Sequence, residues 1–244
     1  MTGKGRALVR LLAVQGAWSY ERMTGIGMGF AAAPLLRALA CDDPERHREA
    51  TARAAEFFNC HPYLAGLALG ASARAEYEGV PGAQIRRLRT ALCSPLGALG
   101  DQFFWAGLVP IVMSLALVAI ALGAGVVALA AVVVGYNVVR LLVTRWALWT
   151  GLETGMQVGT AISASWLPRA AARIAAPAGL VAGLSVPIAG AWLLASAVGS
   201  RWAVALGAAG ATIALLRWGG ARWTSLRVGL VFALVALLWT RFAP

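Results

Sequence analysis

Hydrophobic and polar positions follow two unlike patterns along this chain, and the change between them falls near residue 102. Before it, apolar residues recur at helical spacing over 5–23, 28–41, 45–58 and 81–92, with Arg and Glu gathered on the other face. That pattern predicts amphipathic helices that lie on a membrane surface or pack as a bundle. Pro34, Asp42-Asp43-Pro44 and His61-Pro62 punctuate the region, and Asp43 as cap with Pro44 at the first helical position suits a helix start. After residue 102 the apolar runs become continuous. Residues 104–143 are too long for one crossing of a hydrocarbon core about 30 Å thick, and Gly123 and Gly125 divide them, which predicts a hairpin of spans 104–122 and 124–143. Further spans are expected at 174–198, 201–216 and 228–243, the last two short enough to require tilt or partial insertion. The expected fold is all-α. Residues 1–102 form an N-terminal region of amphipathic cytoplasmic or interfacial helices, and residues 103–244 supply about five transmembrane helices of a polytopic membrane protein.

Composition supports this picture and charge refines it. Of 244 residues, 60% are hydrophobic and 13% charged, too apolar for a soluble surface. The formal charge of +11 is unevenly spread: residues 1–102 carry 12 Lys/Arg and 9 Asp/Glu, whereas residues 103–244 carry 9 Arg and the single acid Glu153. Basic residues set between spans act as topology determinants rather than as a nucleic-acid footprint. With the N-terminus cytoplasmic, Arg145, Arg169 and Arg173 and then Arg217, Arg222 and Arg227 also fall inside, leaving the turn at Arg201 and the C-terminus outside. Trp146, Trp149, Trp166, Trp202, Trp218, Trp223 and Trp239 lie near span ends, as interfacial anchors do. Cys41, Cys60 and Cys93 are far apart and there are two histidines, His47 and His61, so neither a disulfide framework nor a metal site is indicated, and no cofactor is expected. The N-terminal Leu-Leu-Ala-Val patch is interrupted by Gln15, Glu21 and Arg22, so no cleaved signal peptide is expected.

Three segments carry candidate chemistry. In Cys93-Ser94-Pro95-Leu96-Gly97-Ala98-Leu99-Gly100-Asp101-Gln102-Phe103-Phe104-Trp105 a carboxylate enters an apolar run on a string of helix breakers. A charge at membrane depth costs several kcal/mol unless it faces protein or a wet cavity, which makes Asp101 a candidate functional residue. Irregular backbone is tolerated there only where its amides are satisfied, as at transporter binding sites. The clusters Gln15-Gly16-Ala17-Trp18-Ser19-Tyr20-Glu21-Arg22-Met23 and Glu56-Phe57-Phe58-Asn59-Cys60-His61-Pro62-Tyr63 mix hydrogen-bonding groups with flat aromatics. Hydroxyl-rich ligands need both: polar partners for hydroxyls and apolar walls for ring faces. Gly25-Ile26-Gly27-Met28-Gly29 lacks the lysine and preceding strand of a phosphate loop, and Gly25 and Gly29 read instead as sites of close helix packing. No Ser/His/Asp set with defensible geometry emerges, so the chain offers no catalytic centre of its own.

In order, these clusters resemble the IID component of the mannose/fructose/sorbose-type phosphotransferase system. Its motifs run approximately Q-x-x-W-N-Y-E-R-M-x-x-x-G-F, then F-N-x-x-P, then P-L-A-G-x-G-D-x-x-F-W. Here they stand as Gln15, Trp18, Tyr20, Glu21, Arg22, Met23 and Phe30, as Phe58, Asn59, Cys60, His61 and Pro62, and as Pro95 to Asp101 with Phe104 and Trp105. Pro110, Asn137, Arg140, Gly151 and Gly155 extend the match, which covers about residues 10–156. Ser19 replaces the usual Asn and Gln102 a frequent Pro. The resemblance implies a subunit of the bacterial cytoplasmic membrane that binds and translocates a hexose with a IIC partner. Separate IIA and IIB proteins would carry the phosphoryl group, none resting on this chain. The substrate-binding set becomes Trp18, Glu21, Asn59, His61, Asp101 and Trp105, polar partners and walls for a sugar or for IIC. The competing expectation is a non-transporting regulatory or scaffold component that docks IIA and IIB proteins at the membrane.

Overall fold

The computed structural model describes residues 2–198, with side chains through residue 190 and at Trp192. Residues 1–185 form one compact unit. The elements, in order, are α1 (Lys4–Leu11), α2 (Gly25–Leu36), α3 (Leu39–Asp42), α4 (Pro44–Ala54), a 3-10 turn (Pro62–Leu64), α5 (Ala65–Tyr77) and α6 (Gly82–Gly100). A π-helix (Asp101–Leu108) then leads into α7 (Val109–Ala121), α8 (Val126–Thr154), a second 3-10 turn (Gly155–Gln157), α9 (Val158–Ala164), α10 (Leu167–Arg173) and α11 (Ala175–Val198). The architecture is helical, as the hydrophobic pattern indicates. The spans expected at 201–216 and 228–243 lie outside the described residues.

Several boundaries differ from the periodicity, each for a local reason. The helix expected over 5–23 stops at Leu11, where Leu12, Ala13 and Val14 turn to i−3 acceptors and the chain winds through tight turns to Trp18. Tight turns suit this stretch because Gly16, Ser19 and Tyr20 are weak helix formers. At Asp43 the expected cap is made: its carboxylate accepts from the Arg46 amide at 2.9 Å, with Pro44 at the first position. The helix expected over 81–92 continues without a break from Gly82 to Ala121, so the glycines and Pro95 do not interrupt it; the irregularity is confined to the π-turns at Asp101–Leu108. α5 was not foreseen at all. Its Ala, Leu and Gly residues are buried on nearly every side, so it shows no amphipathic period.

α5 is the central strut. It packs along the C-terminal half of α8 through glycines: a Cβ on Gly66 would lie 2.7 Å from the Leu148 amide nitrogen, and one on Gly70 would lie 2.6 Å from the Leu148 carbonyl oxygen. Small residues let helix backbones approach this closely. Gly25 and Gly29 of α2 likewise abut the 55–56 backbone and the Ala55 side chain, as their spacing indicates. Beyond this body α7 and α8 form a hairpin. α7 ends at Ala121, Gly123 takes a left-handed φ of +76°, and α8 begins at Val126, so the break falls at the glycines read as a divider. Met113, Leu117, Ile120, Leu122, Val127 and Val134 on the hairpin are exposed. Gly82–Ala121 and Val126–Gly190 are the two helical stretches, among the described residues, long and apolar enough to cross a membrane.

Candidate functional site

The three motifs meet on one short segment, 58–63. On one side of it, Ser19 and Met23 exchange backbone hydrogen bonds at 3.3 and 2.7 Å, closing a five-residue loop with Met23 at φ +50°. A left-handed Met is an uncommon conformation that surrounding structure must hold. The hold is visible: the Phe58 amide donates to the Arg22 carbonyl at 3.3 Å, and the Thr24 amide and hydroxyl donate to the Phe58 carbonyl at 2.9 and 2.8 Å. Glu21 and Asn59, both exposed, therefore flank one backbone seam. Trp18 is exposed and packs edge-on against Tyr20 with ring centres 4.7 Å apart.

On the other side sits His61. Its ring lies nearly parallel to Phe104 (4.9 Å, 11°), edge-on to Tyr63 (4.9 Å) and tilted to Trp105 (5.3 Å), and it seats against Gly100 where no side chain intervenes. Asp101 follows Gly100 at the start of the π-helix and is exposed, as is Trp105. His61 itself is only 2% exposed, and burial pushes its imidazole down to about 4. Burial likewise pushes the neighbouring Cys60 thiol up, well away from reactivity. His61, Trp105 and, through Gly100, Asp101 are thus brought together, while Trp18, Glu21 and Asn59 form a second group joined to them by residues 59–61. Among the described residues no side-chain hydrogen bond, ion pair or ring contact joins the two groups.

The structure adds residues that the motif reading did not place in the site. The Arg89 guanidinium, buried beneath the segment, donates to the carbonyls of Ala54 (3.2 Å) and Glu56 (3.3 Å) and lies 5.0 Å over the Phe58 ring, fixing where α4 ends and the 55–59 turn begins. Arg89 looks like one more cation on an amphipathic helix, so nothing in its spacing reveals its burial. Arg53 and Glu76 form a buried bidentate pair at 2.9 and 3.0 Å beside it, and the Glu76 hydrogen bond holds the Arg53 pKa up. From α8, Tyr136 shares a 3.3 Å hydroxyl contact with Tyr63, while Arg140 lies 4.9 Å over the Tyr63 ring and donates to the Leu12 carbonyl at 3.3 Å. Arg140 had a signal: a lone charge between long apolar runs marks a functional or structural junction.

A helical bundle carrying an apolar two-helix hairpin, in stretches long and apolar enough to cross a membrane, has the build of a membrane protein. Residues 4–186 match the family described as PTS system mannose/fructose/sorbose family IID component, and the chain belongs to that family. It is 30% identical over 156 residues to the PTS system mannose-specific EIID component of Escherichia coli strain K12, covering 59% of this chain and 52% of that protein. It is 28% identical over 148 residues to the Fructose permease IID component of Bacillus subtilis, covering 59% of this chain and 53% of that protein. The chain spans about half the length of the curated relatives it matches. The fold is shared with a chain of the cryoEM structure of the Mannose Transporter ManYZ and Microcin E492 complex, with a TM-score of 0.58, 21% identity, and coverage of 100% of this chain and 97% of that one. A second solved structure, described as a membrane protein, shares it with a TM-score of 0.69 at 20% identity, covering 98% and 96% of the two chains.

Proposed function

We propose that this chain is the IID subunit of a mannose-type sugar permease, binding and translocating a hexose with a IIC partner while IIB, recharged by IIA, phosphorylates the sugar at the inner face. The observation that carries this reading is the convergence of three separate motifs on residues 58–63, which bear a polar and aromatic group on each side: Trp18, Glu21 and Asn59 on one, His61, Asp101 and Trp105 on the other. Carboxylate and amide groups can hold sugar hydroxyls in bidentate fashion, and aromatic faces can cover the apolar face of a pyranose. The subunit is multi-pass in the bacterial cytoplasmic membrane with its N-terminus inside; residues 1–102 form its surface-bound part and residues 103–244 its spanning part. It works as a hetero-oligomer and carries no phosphorylated residue of its own.

Uptake by cells expressing the full chain with its IIC, IIB and IIA partners tests the reading. Asn59→Ala, Glu21→Ala and Asp101→Asn are expected to reduce hexose uptake five- to hundred-fold, about the 1–3 kcal/mol of a lost hydrogen bond, at near-normal membrane levels. Wild-type uptake in all three removes these residues from the site. Uptake by the chain without a IIC partner removes the obligate hetero-oligomer. For orientation, Ser200→Cys in a cysteine-free chain should label with an impermeant maleimide in intact cells and Ser225→Cys only after permeabilisation. The opposite pattern inverts the topology.

A further inference from the structure

His61 holds a hydrogen-bond donor with nothing to donate to. Its Nδ1 accepts the Tyr63 amide hydrogen at 3.4 Å, so the neutral ring carries its proton on Nε2, and Nε2 is sealed from solvent without a partner. Buried donors are normally satisfied, and an exception asks for a physical explanation. The low pKa that burial imposes keeps the ring neutral at cytoplasmic pH, so this donor is permanent and uncharged.

What seals it is equally unusual. Phe104 and Trp105, the rings against His61, both belong to the π-helix Asp101–Leu108, set within an otherwise α-helical stretch from Gly82 to Ala121. π-turns are rare, occur mostly as short interruptions of α-helices, and are frequent at functional sites. Gly100 meets the His61 ring with no side chain, so helix backbone and ring lie in direct contact at the start of the segment. Tightening a π-turn to an α-turn would swing Phe104 and Trp105 about the helix axis and uncover Nε2, with Asp101 at the rim of the opening.

We propose that His61 is a ligand donor held behind a π-helical cover, which moves aside so that Nε2–H binds one acceptor oxygen of a neutral polyhydroxylated ring while Asp101 accepts from a neighbouring hydroxyl. This rests on the hexose reading and adds to it a specific atom, its protonation state and the element that exposes it. A neutral donor paired with a carboxylate acceptor suits adjacent hydroxyls, which both accept and donate.

Two experiments test it on the full chain expressed with its permease partners. In the first, uptake of mannose, fructose, sorbose and glucose identifies the sugar carried, and the monodeoxy derivatives of that sugar are then compared in wild type, His61→Gln and His61→Asn. The Gln amide reaches the Nε2 position and the Asn amide does not. His61→Gln should stay within about threefold of wild-type KM, and His61→Asn should raise KM at least tenfold for the parent sugar but leave one monodeoxy derivative unchanged. An equal KM rise for every derivative, or a fall in kcat alone, overturns the donor role. If wild type carries none of the four sugars, the hexose reading itself falls and the ligand assignment falls with it.

The second experiment needs no sugar. In a His47→Gln background His61 is the sole histidine, and its acylation by diethylpyrocarbonate reports access to the ring. Wild-type cover predicts slow reaction, accelerated at least tenfold by deleting Gln102, which removes the residue that a π-turn holds in excess. Trp105→Ala should accelerate it too and serves if the deletion variant does not accumulate. Resting reactivity equal to that of free imidazole, or no acceleration in the variants that accumulate, overturns the cover.

Discussion

The body formed by α1–α6 with residues 143–152 of α8 and the hairpin of α7 with the first half of α8 are built from the same residue types, chiefly Leu, Val and Ala, yet they use them in opposite ways. In the body Leu67, Leu69, Leu148 and Ala147 are fully enclosed, helices touch through glycines, and the enclosed cations are held, Arg53 by the Glu76 carboxylate and Arg89 by backbone carbonyls. In the hairpin Met113, Leu117 and Val134 are exposed, and the polar side chains near its base, Tyr136 and Arg140, turn toward Tyr63. The difference is one of solvent. Apolar residues inside the body are removed from water by each other, whereas those of the hairpin are stable only where the surroundings are themselves hydrocarbon. The candidate site lies at the border, where the π-helix joins the body to the hairpin.

Breaking the body should have the largest effect. Glu76→Ala leaves the buried Arg53 with only the exposed Glu49 carboxylate, 3.2 Å away, as its partner, and loss of one member of a buried pair typically costs about 3–5 kcal/mol. The expected result is a collapse in membrane level or in detergent melting temperature; an unchanged melt would mean the pair is solvated. Next, Leu67→Ala should cost about 2–5 kcal/mol through lost contacts and a cavity. The size of that loss against the outward Leu117, discussed below, measures how far the two regions differ.

His61 gives an effect of middle size that depends on pH. Its folded pKa of about 4 lies below the ordinary 6.5, so the unfolded chain binds the proton more readily. Its contribution is fully present above pH 6.5 and is lost as pH falls toward 4, reaching about 2 kcal/mol at pH 5. Melting temperature measured from pH 7.5 to 5 should fall more steeply in wild type than in His61→Phe, which keeps the stacking on Phe104 without a titrating group. Parallel curves would place the ring in a wetter site. Smallest of all, Leu117→Ala in the hairpin should change stability in lipid by less than about 0.5 kcal/mol, since that side chain is 47% exposed and exchanges lipid contacts rather than a packed core. A loss as large as that of Leu67→Ala would show that the hairpin face is covered by protein.

Much of the fold is legible in the sequence where a local rule acts without competition. The Asp43-Pro44 start, the hairpin divided at Gly123 and Gly125, and the close packing at Gly25 and Gly29 each follow from a residue's own stereochemistry. The motif residues were legible as chemistry but not as an arrangement: that His61 is buried while Glu21, Asn59 and Asp101 are exposed depends on which helices cover segment 58–63. α5 escaped for the same reason from the other side, because a helix enclosed on nearly every face has no polar stripe to set a period.

The sequence by itself determined that the chain is helical, that it meets a membrane, and which polar and aromatic residues recur together, because hydrophobicity, helix punctuation and side-chain chemistry are properties of single residues and short windows. Only the tertiary structure decided that Phe58 staples Met23, that Arg89 sits beneath Phe58, that Arg140 reaches Tyr63, and that Phe104 and Trp105 close over His61. Those pairings join residues tens of positions apart. Each exists because burial leaves a cation, a ring or a backbone amide to find its partner among whatever the packed helices bring within reach.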